Sequence, residues 1–306
     1  LLHRSLARVR AVHPPRPPPR AHPLLGVRYA QLDPALLNSR LADIDEVLAM
    51  PAREIGDDVL LAAYCYRHED LVRRGDSAGA RAALERAEQI ADRFPDPYWT
   101  WAIRTWRALS YVDAGELDRA EAGAFDALAM RAGVDAAHAC LAVNLVNIRL
   151  YQGRAGEMIP ALSDAVGRHP EIPTYRAVLA LCTAETGERA SAAALLDSFT
   201  TERFTNLPDD TNRFLGLAVL AHVAAAVEDR RAGDLLSELL DPYRDQWVVL
   251  QCYGGGGATW GPTAHALARL AALDGRHADA DELFARAERA AAHAPLVLAR
   301  IAEDRR

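Results

Sequence analysis

The stretch Ala108-Leu-Ser-Tyr-Val-Asp-Ala-Gly-Glu-Leu-Asp-Arg-Ala-Glu-Ala-Gly-Ala-Phe-Asp-Ala127 decides the fold. A helix-forming run ends at Gly115 and a second run follows at once. Alanine stands seven residues before that glycine (Ala108), five after it (Ala120) and twelve after it (Ala127). The same frame surrounds Gly75, Gly153, Gly187 and Gly275, and a further copy at Glu228-Asp229 keeps the flanks without the glycine. Successive turns are 40, 38, 34, 41 and 47 residues apart. A period of roughly 34 to 45 residues predicts helical hairpins, each too small to bury its own apolar face and so stacked on the next. Arrays of that kind mostly bind or transmit and rarely catalyse.

Working outward, Ala80, Ala192 and Ala280 repeat the fifth place after the turn, and Ala87, Ala165 and Ala287 the twelfth. Met158, Gly233, Phe199 and Leu240 depart from it. Small groups there let helices approach closely, while Leu84, Leu162, Leu196 and Phe284 fill the gap between layers. This is the tetratricopeptide arrangement, and the fold expected is an all-α, right-handed superhelix of tetratricopeptide-like hairpins. The hairpins fall at 58–74/77–93, 98–114/117–131, 136–152/156–167, 172–186/189–199, 211–227/230–241 and 262–274/278–292. A preceding helix runs from Asp33-Pro34 to about Met50, and Asp57 or Asp58 is the N-cap expected for the next. Pro95, Pro97, Pro170, Pro173, Pro208, Pro242 and Pro262 punctuate the boundaries between hairpins. No segment alternates as a strand does; Val248-Val249-Leu250 is too short to support a sheet. Two regions result: a basic Pro/Arg-rich arm and linker over 1–32, and a repeat domain of about six to seven hairpins over 33–306.

Composition removes several function classes. A net charge of −7 argues against general attraction to nucleic acid or to an anionic membrane. The longest apolar run, Phe214 to Val227, is too short to cross a bilayer. All 35 basic residues are arginine, so no P-loop lysine, Schiff-base lysine or lysine general base exists here. Cys65, Cys140, Cys182 and Cys252 lie in apolar surroundings with no C-x-x-C pair, which predicts buried free thiols and a cytoplasmic home. The chain begins at Leu1 without methionine, and a piece of a longer polypeptide is expected.

Candidate chemistry is sparse. Tyr253-Gly-Gly-Gly-Gly-Ala-Thr-Trp-Gly-Pro262 offers glycines of the kind that cradle a phosphate, but no register satisfies G-x-G-x-x-G and no Walker lysine is present. The simpler reading is a tight connection packed under Trp247, Tyr253 and Trp260. His68-Glu69 opens like a zinc-protease motif, but Val72 stands where the second ligand belongs. His277, Asp279 and Asp281 read as helix-start residues. No catalytic residue, cofactor or metal is therefore expected. What remains is the concave groove lined by the first helix of each hairpin. There Tyr66, Glu69, Arg73, Thr105, Asn144, Asn147, Tyr151, His222, His265 and Arg269 would grip a protein or peptide partner.

The series Leu117-Asp-Arg-Ala-Glu121, Pro173-Thr-Tyr-Arg-Ala-Val-Leu-Ala-Leu181, Arg203-Phe-Thr-Asn-Leu-Pro-Asp-Asp210, Leu239-Leu-Asp-Pro-Tyr243 and Gly261-Pro-Thr-Ala-His-Ala-Leu-Ala-Arg-Leu270 resembles the C-terminal helical region of large actinobacterial signalling proteins. Those proteins carry a STAND or AAA-type ATPase module with a LuxR-type DNA-binding domain or a nucleotide cyclase domain. The resemblance spans about residues 35–292. It implies a non-catalytic interaction or sensor arm of a bacterial signalling or transcription-regulating ATPase, whose partner is the parent's own ATPase module or another protein. A free-standing adaptor that captures a peptide is the alternative. An enzyme built around Gly254–Gly257 and His265 is the third reading.

Overall fold

Glycine sets the hairpin turns by a backbone requirement. Gly75, Gly115, Gly153, Gly187 and Gly275 all have φ between 69° and 83°, the left-handed region where a Cβ is penalised. The sixth turn forces the same geometry on Glu228, at φ 63°. The computed structural model describes residues 25, 33–210, 212–252 and 254–306, with no side-chain account of 52 and 53. The basic arm expected over 1–32 lies outside the described residues, Leu25 apart.

The helices are α1 (Leu37–Leu48), α2 (Ala52–Arg74), α3 (Ser77–Ala91), α4 (Pro97–Asp113), α5 (Leu117–Met130), α6 (Asp135–Tyr151), α7 (Ile159–Arg168), α8 (Pro173–Glu185), α9 (Arg189–Thr200), α10 (Arg213–Val227) and α11 (Arg230–Leu240). Two strands follow, β1 (Trp247–Cys252) and β2 (Gly255–Pro262), and then α12 (Thr263–Leu273), α13 (His277–Ala290) and α14 (Pro295–Asp304). The fold is an all-α array of tetratricopeptide-like hairpins. Two boundaries differ from expectation. Helix α2 begins at Ala52 and is kinked at Gly56 (φ 78°), and the Asp57 carboxylate is bound to Arg93. Helix α14, whose Pro295 stands in the first turn, follows the sixth hairpin.

The chain divides into two compact units, Leu1–Ile103 and Arg104–Arg306. In the first, α1 packs on α2 and α2 on α3, around Leu37, Leu41, Leu71, Ala80 and Ala83. In the second, first helices of successive hairpins pack together, α8 on α10 and α10 on α12, each beside its own partner helix. Ala177, Ala180, Ala192, Ala221, Ala224, Ala232, Leu196 and Leu236 are fully buried at these contacts. Alanine keeps the helices near and leucine fills the layer between them.

The expectation of no sheet is overturned. β1 and β2 form an antiparallel pair, with Val249 opposite Thr259 and Cys252 opposite Gly255, broken by register shifts after Trp247 and Leu250. The apolar segment extends beyond Val248–Leu250 to Trp247 and Cys252, long enough for a strand. Its partner is the glycine-rich stretch itself. Strand propensity alone argues against glycine there, but glycine in a strand marks close approach by other backbone. An added Cβ on Gly256 would lie 2.9 Å from the Trp106 Cα, and one on Gly257 would lie 2.7 Å from the Leu250 carbonyl oxygen.

Candidate functional site

The second unit places its hairpin strand against the first helices of the array, where an open groove was expected. Thr105 on α4 accepts the Gly256 N–H through Oγ1 at 2.9 Å. Asn144 on α6 donates from Nδ2 to the carbonyls of Gly256 (2.9 Å) and Gly257 (2.5 Å). One turn on, Asn147 donates to the Thr259 carbonyl at 2.9 Å and accepts the Thr259 N–H at 3.4 Å. Cys140 Sγ donates to the Gly256 carbonyl at 3.3 Å, and Trp106 Nε1 to the Gly254 carbonyl at 3.2 Å. Helical spacing puts Cys140, Asn144 and Asn147 on one stripe, which runs along the backbone of Gly256, Gly257 and Thr259. Thr105, Asn144 and Asn147 thus hold a peptide backbone, and that backbone is the chain's own. The Gly256 N–H is committed to Thr105, so the glycine run does not cradle a phosphate through it.

Beside the strand lies a buried polar cluster. His222 (α10) and His265 (α12) face each other edge-on with ring centroids 4.9 Å apart. His265 Nε2 is 2.8 Å from Asp304 Oδ2 on α14. Arg269 donates to His222 Nδ1 at 3.1 Å and stands 3.6 Å from Asp304 Oδ1. Arg300 pairs with Glu185. Burial holds both histidines below the usual imidazole range, His222 well below it, with neighbouring positive charge adding to the effect. Burial opposes ionisation of Asp304, but the His265 hydrogen bond and Arg269 bring it below the ordinary carboxylate value. Burial raises the Tyr151 phenol. On the strand side, Thr259 Oγ1 donates to Asp113 Oδ1 at 2.9 Å, and burial lifts that carboxyl to about 7.

Donor atoms of His222, His265 and Asp304 lie within 4.8 Å of one another, close enough to suggest a metal. However, the Arg269 guanidinium already bonds His222 and stands beside Asp304. It is a fixed positive charge in the place a cation would need. The cluster therefore reads as ion-paired and hydrogen-bonded protein.

Residues assigned to the first unit's groove are buried in that unit. Glu69 and Arg73 form an i,i+4 pair at 3.0 Å, with Glu69 1% and Arg73 5% exposed. Tyr66 packs edge-on against Trp99 at 5.5 Å. Nearby, Arg40 and Asp70 form a buried pair at 3.1 Å, and His68 Nδ1 is 2.8 Å from the Ala80 carbonyl. Of the ten groove candidates, Thr105, Asn144 and Asn147 meet β2, while Tyr151, His222, His265 and Arg269 gather at the polar cluster. Asp113, Glu185, Arg300 and Asp304 were not anticipated. Two of them sit on α14, whose signal was available: Pro295 at a helix start with Val297 and Ile301 four residues apart.

A depression of about 600 Å3 lies between α11 and α13, and its Arg244, Arg276 and Arg286 are already paired with Asp241, Asp279 and Asp245. No helix among the described residues is long and apolar enough to cross a membrane.

No family model and no curated protein matches the chain. Among solved structures it is similar to "Structure of Naa15/Naa10 bound to HypK-THB", at 16% identity and a TM-score of 0.29, with 87% of this chain and 36% of that chain covered. The chain thus spans little more than a third of that neighbour, and so distant a likeness says nothing of function.

Proposed function

We propose that this chain is a non-catalytic interaction and sensor arm of a bacterial signalling or transcription-regulating ATPase. Its partner would be a protein segment, including one from the parent's own ATPase module. One observation carries the reading: the first helices of the array grip an extended backbone through Thr105, Asn144 and Asn147, using side-chain amides and a hydroxyl. That chemistry recognises a peptide backbone whatever its sequence, and here β2 supplies that backbone.

The test begins with the reading frame that encodes Leu1. The purified parent protein is assayed for nucleoside triphosphate hydrolysis with and without residues 33–306. An ATPase module in the same polypeptide, with a basal rate that changes severalfold on removing the repeats, is the expected result. A frame with no such module overturns the arm and leaves the free-standing peptide adaptor.

A further inference from the structure

The chain's four cysteines are buried free thiols, and two of them, Cys140 and Cys252, meet. Cys140 sits on α6 and Cys252 is the last residue of β1, elements that pack on each other within the second unit. Two contacts fix their approach. A methyl group placed on Gly257 would stand 3.3 Å from both the Cys252 Cβ and the Val143 Cγ1. Val143 lies one turn beyond Cys140, so the Cys252 side chain lies at the stripe of α6 that carries Cys140. Cys140 Sγ in turn reaches the Gly256 carbonyl at 3.3 Å, and Gly256 stands opposite Gln251, the residue before Cys252. A thiol has one hydrogen to give. Cys140 spends its own on Gly256, so between the two sulfurs Cys252 donates and Cys140 accepts.

The Cys252 contact and burial hold Cys140 well above the usual thiol range, with Thr105 opposing them. Cys140 is 1% exposed and Cys252, at the strand end, is 8% exposed. Cys140 is therefore inert toward reagents in solution, and Cys252 is the sulfur an oxidant meets first. We propose that the pair is a redox lock: a small-molecule disulfide oxidises Cys140 and Cys252 to a cystine that ties the end of β1 to α6. Cys252 attacks one sulfur of the reagent RS–SR, forming a mixed disulfide, and the released RS⁻ takes up the Cys252 proton. Cys140 then attacks the Cys252 sulfur, the mixed S–S bond breaks, and the second RS⁻ leaves with the Cys140 proton. Two protein thiols lose two electrons and two protons, and one RS–SR becomes two RSH. The Gly256 carbonyl loses its thiol donor but keeps Asn144 at 2.9 Å, so β2 stays seated. The cystine closes a loop of more than a hundred residues, which restricts the unfolded chain and favours the fold. The lock does not depend on the chain being a signalling arm.

The experiment uses the full chain, purified reduced and held under native conditions with oxidised glutathione until its thiol count is constant. Remaining thiols are then counted by N-ethylmaleimide labelling in denaturant and intact mass. Expected are two free thiols instead of four, and a non-reduced peptide map that joins Cys140 to Cys252. The thermal midpoint should rise by several degrees and return with dithiothreitol. Cys252→Ser should keep its three thiols free and its midpoint unchanged under the same oxidant. Cys140→Ser serves if that variant does not fold: Cys252 then stops at the mixed disulfide, read as the added mass of one glutathionyl group. Four free thiols in the folded, oxidant-treated chain overturn the lock. So does a cystine joining any other pair, or an oxidised protein with the midpoint of the reduced one.

Discussion

Glu228 holds a left-handed backbone conformation that the other five hairpin turns assign to glycine. A left-handed non-glycine residue costs about 1 kcal/mol. The side chain's compensation is a well-exposed pair with Arg189, which contributes little. Glu228→Gly is expected to stabilise the protein by about 1 kcal/mol, read as a higher urea midpoint at unchanged slope. Asp113 carries a different strain. Its folded value, about 7, lies above the ordinary carboxyl value, so the folded state holds an extra proton through the interval between them. Stability therefore falls as pH rises from about 4 to 7, and the whole penalty is present above that window. Asp113→Asn keeps an acceptor for Thr259 and removes the titration. It should gain about 2 kcal/mol at pH 8, less than the full linkage because the side chain is only half-buried, and almost nothing near pH 4. Chemical denaturation at the two pH values checks both numbers, and an equal gain at each would contradict the burial argument.

At the scale of elements, the helical hairpins were legible and the β-hairpin was not. Helices follow from a local period: alanine and leucine at fixed distances from a turn state which face is buried. β2 begins with glycines that offer no side chain to read, and Gly256 and Gly257 are required by the closeness of Trp106, Thr105 and Leu250 rather than by strand propensity. Gly256→Ala would press a methyl group to within 2.9 Å of the Trp106 backbone. The expected loss is about 2–3 kcal/mol, as in an overpacked core. Gly167→Ala on α7, where nothing lies within 4 Å, is the control and should be neutral or stabilising by up to about 1 kcal/mol. Similar losses at both positions would mean that helix and strand positions respond alike, and the close-approach account of the glycines would fail.

For the whole chain, the pH profile of stability collects these buried groups. His222 and His265 are held neutral in the fold, below the imidazole's ordinary value of 6.5. In the unfolded chain they take up protons as pH falls through about 6.5, so their contribution is intact above that pH and is lost below it. Asp113 acts in the opposite sense, and the two limbs place maximum stability near pH 6–7. His222→Asn leaves an acceptor for Arg269 but no titrating ring. It should reduce the acid limb by up to one proton's slope, measured as the change of unfolding free energy between pH 6.5 and 5. An unaltered acid limb would place the titration elsewhere.

The sequence by itself determined the all-α hairpin array, because turn glycine, small residue and bulky residue recur at distances that local helix geometry converts directly into buried faces. It also pointed to Thr105, Asn144, Asn147, Tyr151, His222, His265 and Arg269, since the first helix of each hairpin can be identified from the turn. Tertiary structure alone decided what those residues meet. Asn144 and Asn147 find backbone more than a hundred residues away in sequence. His265 finds Asp304 on a helix beyond the last recognised repeat. Such partners depend on how the hairpins stack, a sum over many layers that no local period encodes. The tetratricopeptide-like frame is a local property, and the strand and polar cluster packed against the second unit's first helices belong to the fold.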